Sequence, residues 1–233
     1  MRGKIDVNEW RRKLAYKTFS KYDDPYTGLV TKIDVTNLVK YCKENKISFY
    51  GGMSYYVLKS FSQIDSFYYG YGKSNNEIMI YKYEKLAMTA TVIDKNQELN
   101  FTRYVCYTEE FYDFISEFCS ACHDASNGIP YYKISGLEDM NKVNVTCIPW
   151  VSFSNFKDAI DFSKKNSKPK VCWGKYYSQD DKIYIDVSLI VNHAFQDGYH
   201  IGLFFNNLQE EIYNIDKIKT YKKVRRKNVK EIL

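Results

Sequence analysis

The sequence predicts an α/β fold, a two-layer sandwich in which a mixed β-sheet is packed with helices. Two stretches and one global feature support this. Residues 182–191 alternate strictly, with Ile183, Ile185, Val187, Leu189 and Val191 on one side, the signature of a strand with one buried face. Directly after it, Ile201, Phe204, Phe205, Leu208, Ile212 and Ile215 recur at helical spacing. Helix-like and strand-like patterns mix along the whole chain, with four prolines and no repeat or Pro/Gly-rich linker.

The remaining elements follow from capping residues and periodicity. Asp6 is placed to cap a helix running to about Phe19, with Trp10 and Leu14 on one face. Asp34 opens a second helix, to about Asn45. Met53, Tyr56, Val57, Phe61 and Ile64 mark a third over 52–65. Thr108 opens a fourth, to about His123, and Ser154 a fifth, with Phe156, Ile160 and Ser163 on one side. Residues 77–83, 86–93, 143–148 and 170–177 read as strands.

Charge divides the chain. The net charge is +6, and residues 217–230 hold eight Lys/Arg and no Asp/Glu, so the remainder sums to −2. Residues 1–216 are expected to form one domain and 217–233 a basic tail. A nearly neutral body argues against nucleic acid as the main partner. No stretch is apolar and long enough to span a bilayer, and the N-terminus lacks a signal-peptide core. A cytoplasmic protein with six reduced cysteines is expected.

Several motifs fail on their chemistry. Cys119-Ser-Ala-Cys122-His123 has the spacing of a haem attachment string, but it lies on an apolar helical stripe with Phe111, Phe114, Ile115 and Phe118 and lacks an export signal. Gly70-Tyr-Gly72-Lys73-Ser74 resembles a phosphate loop, but Phe67 stands where the first glycine is required. No G-x-S-x-G occurs, and His123 and His200 lack partners at metal-ligand spacing, so no metal is expected.

One constellation remains, His193-Ala-Phe-Gln-Asp197-Gly198, in the short connection between the clearest strand and the clearest helix. Such a histidine is either a solvated turn residue or a general base on a rigid support. An imidazole suits proton abstraction from a hydroxyl near pH 7.

The H-x-x-x-D-G string resembles that of CoA-dependent acyltransferases. Further segments narrow the likeness to the chloramphenicol acetyltransferase family. They are Glu9-Trp10-Arg11-Arg12, residues 32–36 and 48–50, Asn144 to Phe153, Gly174 to Tyr177, and Gly202 to Gln209. The resemblance covers roughly residues 5–213.

That resemblance implies a CoA-dependent acyltransferase-like fold, a homotrimer with sites between subunits, acetyl-CoA as co-substrate and a small hydroxyl compound as acceptor. His193 matches the family's general base and Thr146 the oxyanion-stabilising serine. Asp197 and Arg12 match a structural ion pair. Phe19, Phe101, Asn144, Phe156 and Cys172 fall where the family lines its acceptor pocket, and Trp150, Lys175 and Tyr176 on the CoA side. Asn192, Thr146, Cys172 and Phe19 depart from the usual residues. The implied activity is O-acetylation of chloramphenicol, hence resistance. Another hydroxyl acceptor, a non-catalytic binder of small molecules, and a protein acting through its basic tail remain as alternatives.

Overall fold

A computed structural model describes residues 2–215 except residues 76, 97–98 and 130–133. The basic tail expected at 217–233 lies outside the described residues. In chain order the elements are β1 (Arg2–Lys4), α1 (Lys13–Phe19), β2 (Tyr26–Asp34), α2 (Thr36–Asn45), α3 (Phe49–Ser62), β3 (Tyr69–Ser74), β4 (Glu77–Tyr83), β5 (Lys85–Ile93) and β6 (Asn100–Cys106). They continue with α4 (Phe111–Ser126), β7 (Met140–Cys147), β8 (Lys170–Trp173), β9 (Tyr177–Gln179), β10 (Lys182–Asn192) and α5 (Gly198–Tyr213).

The main sheet is mixed, with the order β2-β10-β8-β7-β5-β6 and β9 also on β10. β7 is parallel to both β5 and β8, and the other pairs are antiparallel. Helices cover one face. Val187, Leu189 and Val191 of β10 meet Phe204, Leu208 and Ile212 of α5 in the main core, together with Phe61 of α3 and Phe114 and Phe118 of α4. The alternation of β10 does what its pattern predicts, because a period of two sends Ser188, Ile190 and Asn192 to the opposite face.

A second sheet, β1-β4-β3, stands apart. With α1 it builds a small core in which Ile80, Ala194 and Phe195 are buried against Trp10, Tyr16, Tyr69 and Tyr71.

The structure corrects several expectations. Asp6 caps a turn rather than a helix: its Oδ1 accepts the N–H of Asn8 at 2.8 Å. The helix starts only at Lys13, and Leu14 is 80% exposed while Trp10 stacks on Tyr69. No helix follows Ser154. Residues 151–169 contain neither helix nor strand, and Asp161 bonds the backbone N–H of Ser163 instead, the competition that Ser, Asn and Asp offer a helix. The run 170–177 breaks into two strands around Gly174, whose Cβ would lie 2.5 Å from the carbonyl oxygen of Val151. Cys119 is exposed, on the flank of the α4 stripe rather than within it. β1, β2, β3 and β6 are strands beyond those expected from the sequence.

β2 crosses β10 unusually closely at Gly28, where a Cβ would sit 2.2 Å from the carbonyl oxygen of Leu189. Gly28→Ala is expected to lower stability by about 1–3 kcal/mol, seen as a fall in urea midpoint. An unchanged midpoint would mean that the two strands separate freely.

Candidate active site

The turn after β10 is held from several sides. The N–H of His193 donates to the carbonyl of Pro25 at 2.8 Å. Asn192 Oδ1 accepts the N–H of Ala194 at 3.0 Å, while its amide donates to the carbonyl of Asn166. Phe195 is fully buried against Trp10, Tyr16 and Tyr71. Gln196, equally buried, donates to the carbonyl of Ser66 at 2.8 Å. The residues between His193 and Asp197 thus anchor the turn in the second core and leave the histidine outside it.

Arg12 clamps the same turn. Its guanidinium forms a two-pronged ion pair with Asp197, at 2.6 and 2.8 Å, and donates to the carbonyl of His193 at 3.3 Å. This pairing is charge-assisted and geometrically matched on both sides. The guanidinium holds the Asp197 carboxyl below its ordinary value. Burial, reinforced by Arg12, pushes the His200 imidazole down. Its Nδ1 accepts the N–H of Asp197 at 3.0 Å and so caps α5. The sequence signal for His200 was its position three residues after an N-cap aspartate, and a search confined to metal ligands passes over it. Pro25, after Asp23-Asp24, was legible only as a turn.

The His193 ring is about one-third exposed, and the Phe19 ring stacks on it, with centroids 3.8 Å apart and planes 9° from parallel. Nδ1 is buried. It lies 3.2 Å from Asp197 Oδ1 yet makes no hydrogen bond, so the approach is a charge contact at the wrong angle. The open edge of the ring is therefore the one that carries Nε2.

The other group of residues lies on the sheet face away from the helices. Thr146 pairs with Cys172, and Cys172 with Ser188, so the three stand in one cross-strand row. Asn144 is on the same face, its Oδ1 accepting from Thr89 Oγ1 at 3.2 Å. Among the described residues the Thr146 hydroxyl has no hydrogen-bond partner and is free to donate. Segment 151–169 lies across this face, tied down by Lys170 Nζ to Asp158 Oδ2 at 2.6 Å. Phe156 of that segment, with Tyr26, Ser188 and Ile190, lines a groove of about 1100 Å³. Burial pushes the Cys172 thiol up to about 12. It stays protonated near neutral pH and is no competing nucleophile.

Thr146 and His193 do not meet within one chain. His193 follows Ser188 by five residues. At about 3.3 Å per residue and about 4.8 Å per strand, the two Cα atoms are about 19 Å apart. A base and an oxyanion donor must each lie within about 3 Å of the reacting atoms.

Trp150, Lys175 and Tyr176 gather at the far ends of β7 and β8. The N–H of Lys175 donates to the carbonyl of Val151 at 2.7 Å. Trp150 is 67% exposed, and Tyr176 meets Phe49 at the start of α3. Phe101 does not join the acceptor group. It pairs with Val92, in step with Ala90 and Met88, and so faces the helical side of the sheet.

The family model described as chloramphenicol acetyltransferase matches residues 2–209. The chain belongs to the chloramphenicol acetyltransferase family. It is accordingly an acyltransferase. A chloramphenicol acetyltransferase from Staphylococcus aureus is 29% identical over 220 residues, covering 91% of this chain and 96% of the relative. One from Clostridium perfringens is 26% identical over 212 residues, covering 91% and 95%. A solved chloramphenicol acetyltransferase has a TM-score of 0.78 at 20% identity, over 91% of this chain and all of that one. A probable dihydrolipoamide acetyltransferase from Listeria monocytogenes scores 0.58 at 14% identity, over 91% and 95%. These two structures share the fold.

The clamp makes a pH prediction. A carboxylate held below its ordinary value contributes stability in full above the unfolded-chain value of about 4 and loses it as pH falls through the lower folded value. The Asp197 side chain is 39% exposed, so solvent limits the contribution to about 1 kcal/mol. Urea titrations should show Asp197→Asn less stable than wild type by that amount at pH 7 and nearly equal to it at pH 3. A gap that persists at pH 3 would place the loss in packing rather than charge.

Proposed function

We propose that the protein transfers the acetyl group of acetyl-CoA to a hydroxyl of chloramphenicol, by direct attack at a site shared between two subunits of a homotrimer. The observation that carries this reading is the separation of His193 from Thr146. His193 turns its Nε2 edge outward, and among the described residues neither it nor Thr146 has a catalytic partner. A second copy supplies the missing half. We further infer a single catalytic domain over residues 1–216, acting in the cytoplasm. Among the described residues no helix is long and apolar enough to cross a membrane.

In this mechanism His193 Nε2 accepts the proton of the acceptor hydroxyl as its oxygen attacks the thioester carbonyl. Thr146 of the neighbouring subunit donates its hydroxyl hydrogen bond to the oxyanion that develops. His193 then returns the proton as the thiol leaves. Phe19 holds the imidazole plane from behind, while Arg12 and Asp197 fix the turn beneath it. Acetyl-CoA supplies the activated acyl group, and Trp150, Lys175 and Tyr176 would hold its nucleotide end.

A second reading concerns the acceptor. Phe19 stacks an aromatic face on His193, and Cys172, buried in the row of Thr146, keeps a neutral thiol, so both positions are more apolar than hydroxyl-bearing residues would make them. A less polar hydroxyl compound is the alternative acceptor. Thiol release from acetyl-CoA, followed with chloramphenicol and with such compounds at equal concentration, separates the two. Release with no hydroxyl acceptor would reject the transferase reading.

His193→Ala should reduce turnover by at least about 10²-fold with the fold intact by circular dichroism. Retention of a tenth of wild-type turnover would remove His193 from the chemistry. Thr146→Ser should stay within about tenfold of wild type, and Thr146→Val should lose about 10²–10³ in kcat with little change in KM. If Thr146→Val changed only KM, the hydroxyl would be a binding group and not an oxyanion donor.

A further inference from the structure

We propose that Asn192 and Tyr26 are positioning residues that set the acceptor-side wall of the active site against the turn that carries His193. The inference rests on the transfer reading above. It concerns segment 151–169, which has neither helix nor strand to hold it and yet lies across the sheet face of Thr146.

The segment is fastened at a few points. Near its start, the carbonyl of Val151 accepts the N–H of Lys175. In its middle, Lys170 Nζ donates to Asp158 Oδ2 at 2.6 Å and to the carbonyl of Ala159 at 2.8 Å. Near its end, the buried Ser167 hydroxyl accepts the N–H of Tyr71 at 2.7 Å. Between these holds runs the stretch 160–166. Among the described residues, its hydrogen bonds to the molecule outside the segment all go to one atom, the carbonyl oxygen of Asn166. That oxygen accepts from Asn192 Nδ2 at 2.9 Å and from the Tyr26 hydroxyl at 2.9 Å. Phe162 of the same stretch meets the Tyr26 ring edge-on, with centroids 6.1 Å apart.

Both donors sit where the base is fixed. Asn192 directly precedes His193, and Tyr26 directly follows Pro25, whose carbonyl receives the His193 N–H. The two residues also face each other across β10 and β2. Asn192 is 3% exposed and uses both ends of its amide, Oδ1 on the turn and Nδ2 on the segment. Burial pushes the Tyr26 phenol up, so it stays a donor near neutral pH.

Tyr26, Phe156, Asp158 and Phe162 line the groove of about 1100 Å³. An acceptor hydroxyl must come within about 3 Å of the base, so a wall displaced by about 1 Å forfeits productive binding. In the proposed trimer the groove and the base of one chain serve adjacent sites, and one carbonyl keeps both in place. An oxygen with two lone pairs and two donors tolerates the loss of one donor far better than the loss of both.

The test compares Tyr26→Phe, Asn192→Ser and the double variant. A serine hydroxyl can still accept the Ala194 N–H but is too short to reach Asn166. Two readouts are taken: steady-state kinetics with chloramphenicol and acetyl-CoA, and the rate of trypsin cleavage at Lys164 and Lys165, mapped by mass spectrometry. Each single variant should raise the acceptor KM by no more than about twofold and the double by at least about tenfold. Turnover should stay within about threefold and the KM for acetyl-CoA should hold, because the His193 turn keeps Pro25, Arg12 and Phe195. Cleavage at the two lysines should rise about twofold in each single variant, which retains one donor and folds, and about tenfold in the double. Absence of thiol release by the wild type with every hydroxyl compound is the failure of the transfer reading. This inference fails separately, if the wild type turns over and the variants match it in acceptor KM or in cleavage at Lys164 and Lys165. A double variant with a lowered melting temperature and an unmoved acceptor KM would make the two residues structural only, and a loss confined to kcat would also overturn the proposal.

Discussion

Cross-strand register is the constraint on which the rest of this molecule depends. β10 runs through the sheet with β2 on one side and β8 on the other. One face of it carries the core, and the other carries Ser188 and the row that ends at Thr146. Its last residue, Asn192, delivers His193 to a turn beyond the sheet edge of β8. Because backbone hydrogen bonds fix that register, no side-chain rotation brings His193 to Thr146. Incompleteness of the site within one chain is thus a property of the sheet, and the proposal of a site shared between subunits rests on it.

The turn itself is over-determined. Phe195 points into the second core, Gln196 bonds the carbonyl of Ser66, Asn192 caps the turn, and Arg12 reaches across from the N-terminal segment to tie Asp197 to the carbonyl of His193. These supports leave the imidazole with one freedom, its ring rotation, and the stacked Phe19 restricts that. A polar residue at position 19 would add a hydrogen bond to the acceptor. The phenyl ring instead stacks flat on the imidazole, and at position 172 the buried thiol stays neutral. In the proposed reaction both positions bear on which hydroxyl compound fits.

Much of this was legible in the sequence, unevenly. Strict alternation over 182–191 and the stripe from Ile201 to Ile215 made β10 and α5 readable, because both are long and half-buried. β2, Tyr26–Asp34, mixes Gly28 and Lys32 with apolar residues at a sheet edge, and β6 carries a buried Arg103, so neither shows clean alternation. The helix expected after Ser154 had suitable apolar spacing, but the side chains of Asp161 and Asn166 accept local backbone N–H groups instead. The Arg12–Asp197 pair spans 185 positions, and only resemblance to a family linked them. Phe101 matched a pocket position in that resemblance, and pairing with Val92 turns it to the other side of the sheet.

The central claim is that each site takes His193 from one subunit and Thr146 from the next. Co-expressing His193→Ala and Thr146→Val chains, each inactive alone, tests it most directly. Random mixing makes about three-quarters of trimers mixed, and each mixed trimer holds one site with both wild-type residues. Acetyl transfer to chloramphenicol should therefore return to roughly a quarter of the wild-type rate per subunit. Purified mixed trimers as inactive as either parent would contradict the account, because the two residues would then have to act within one chain.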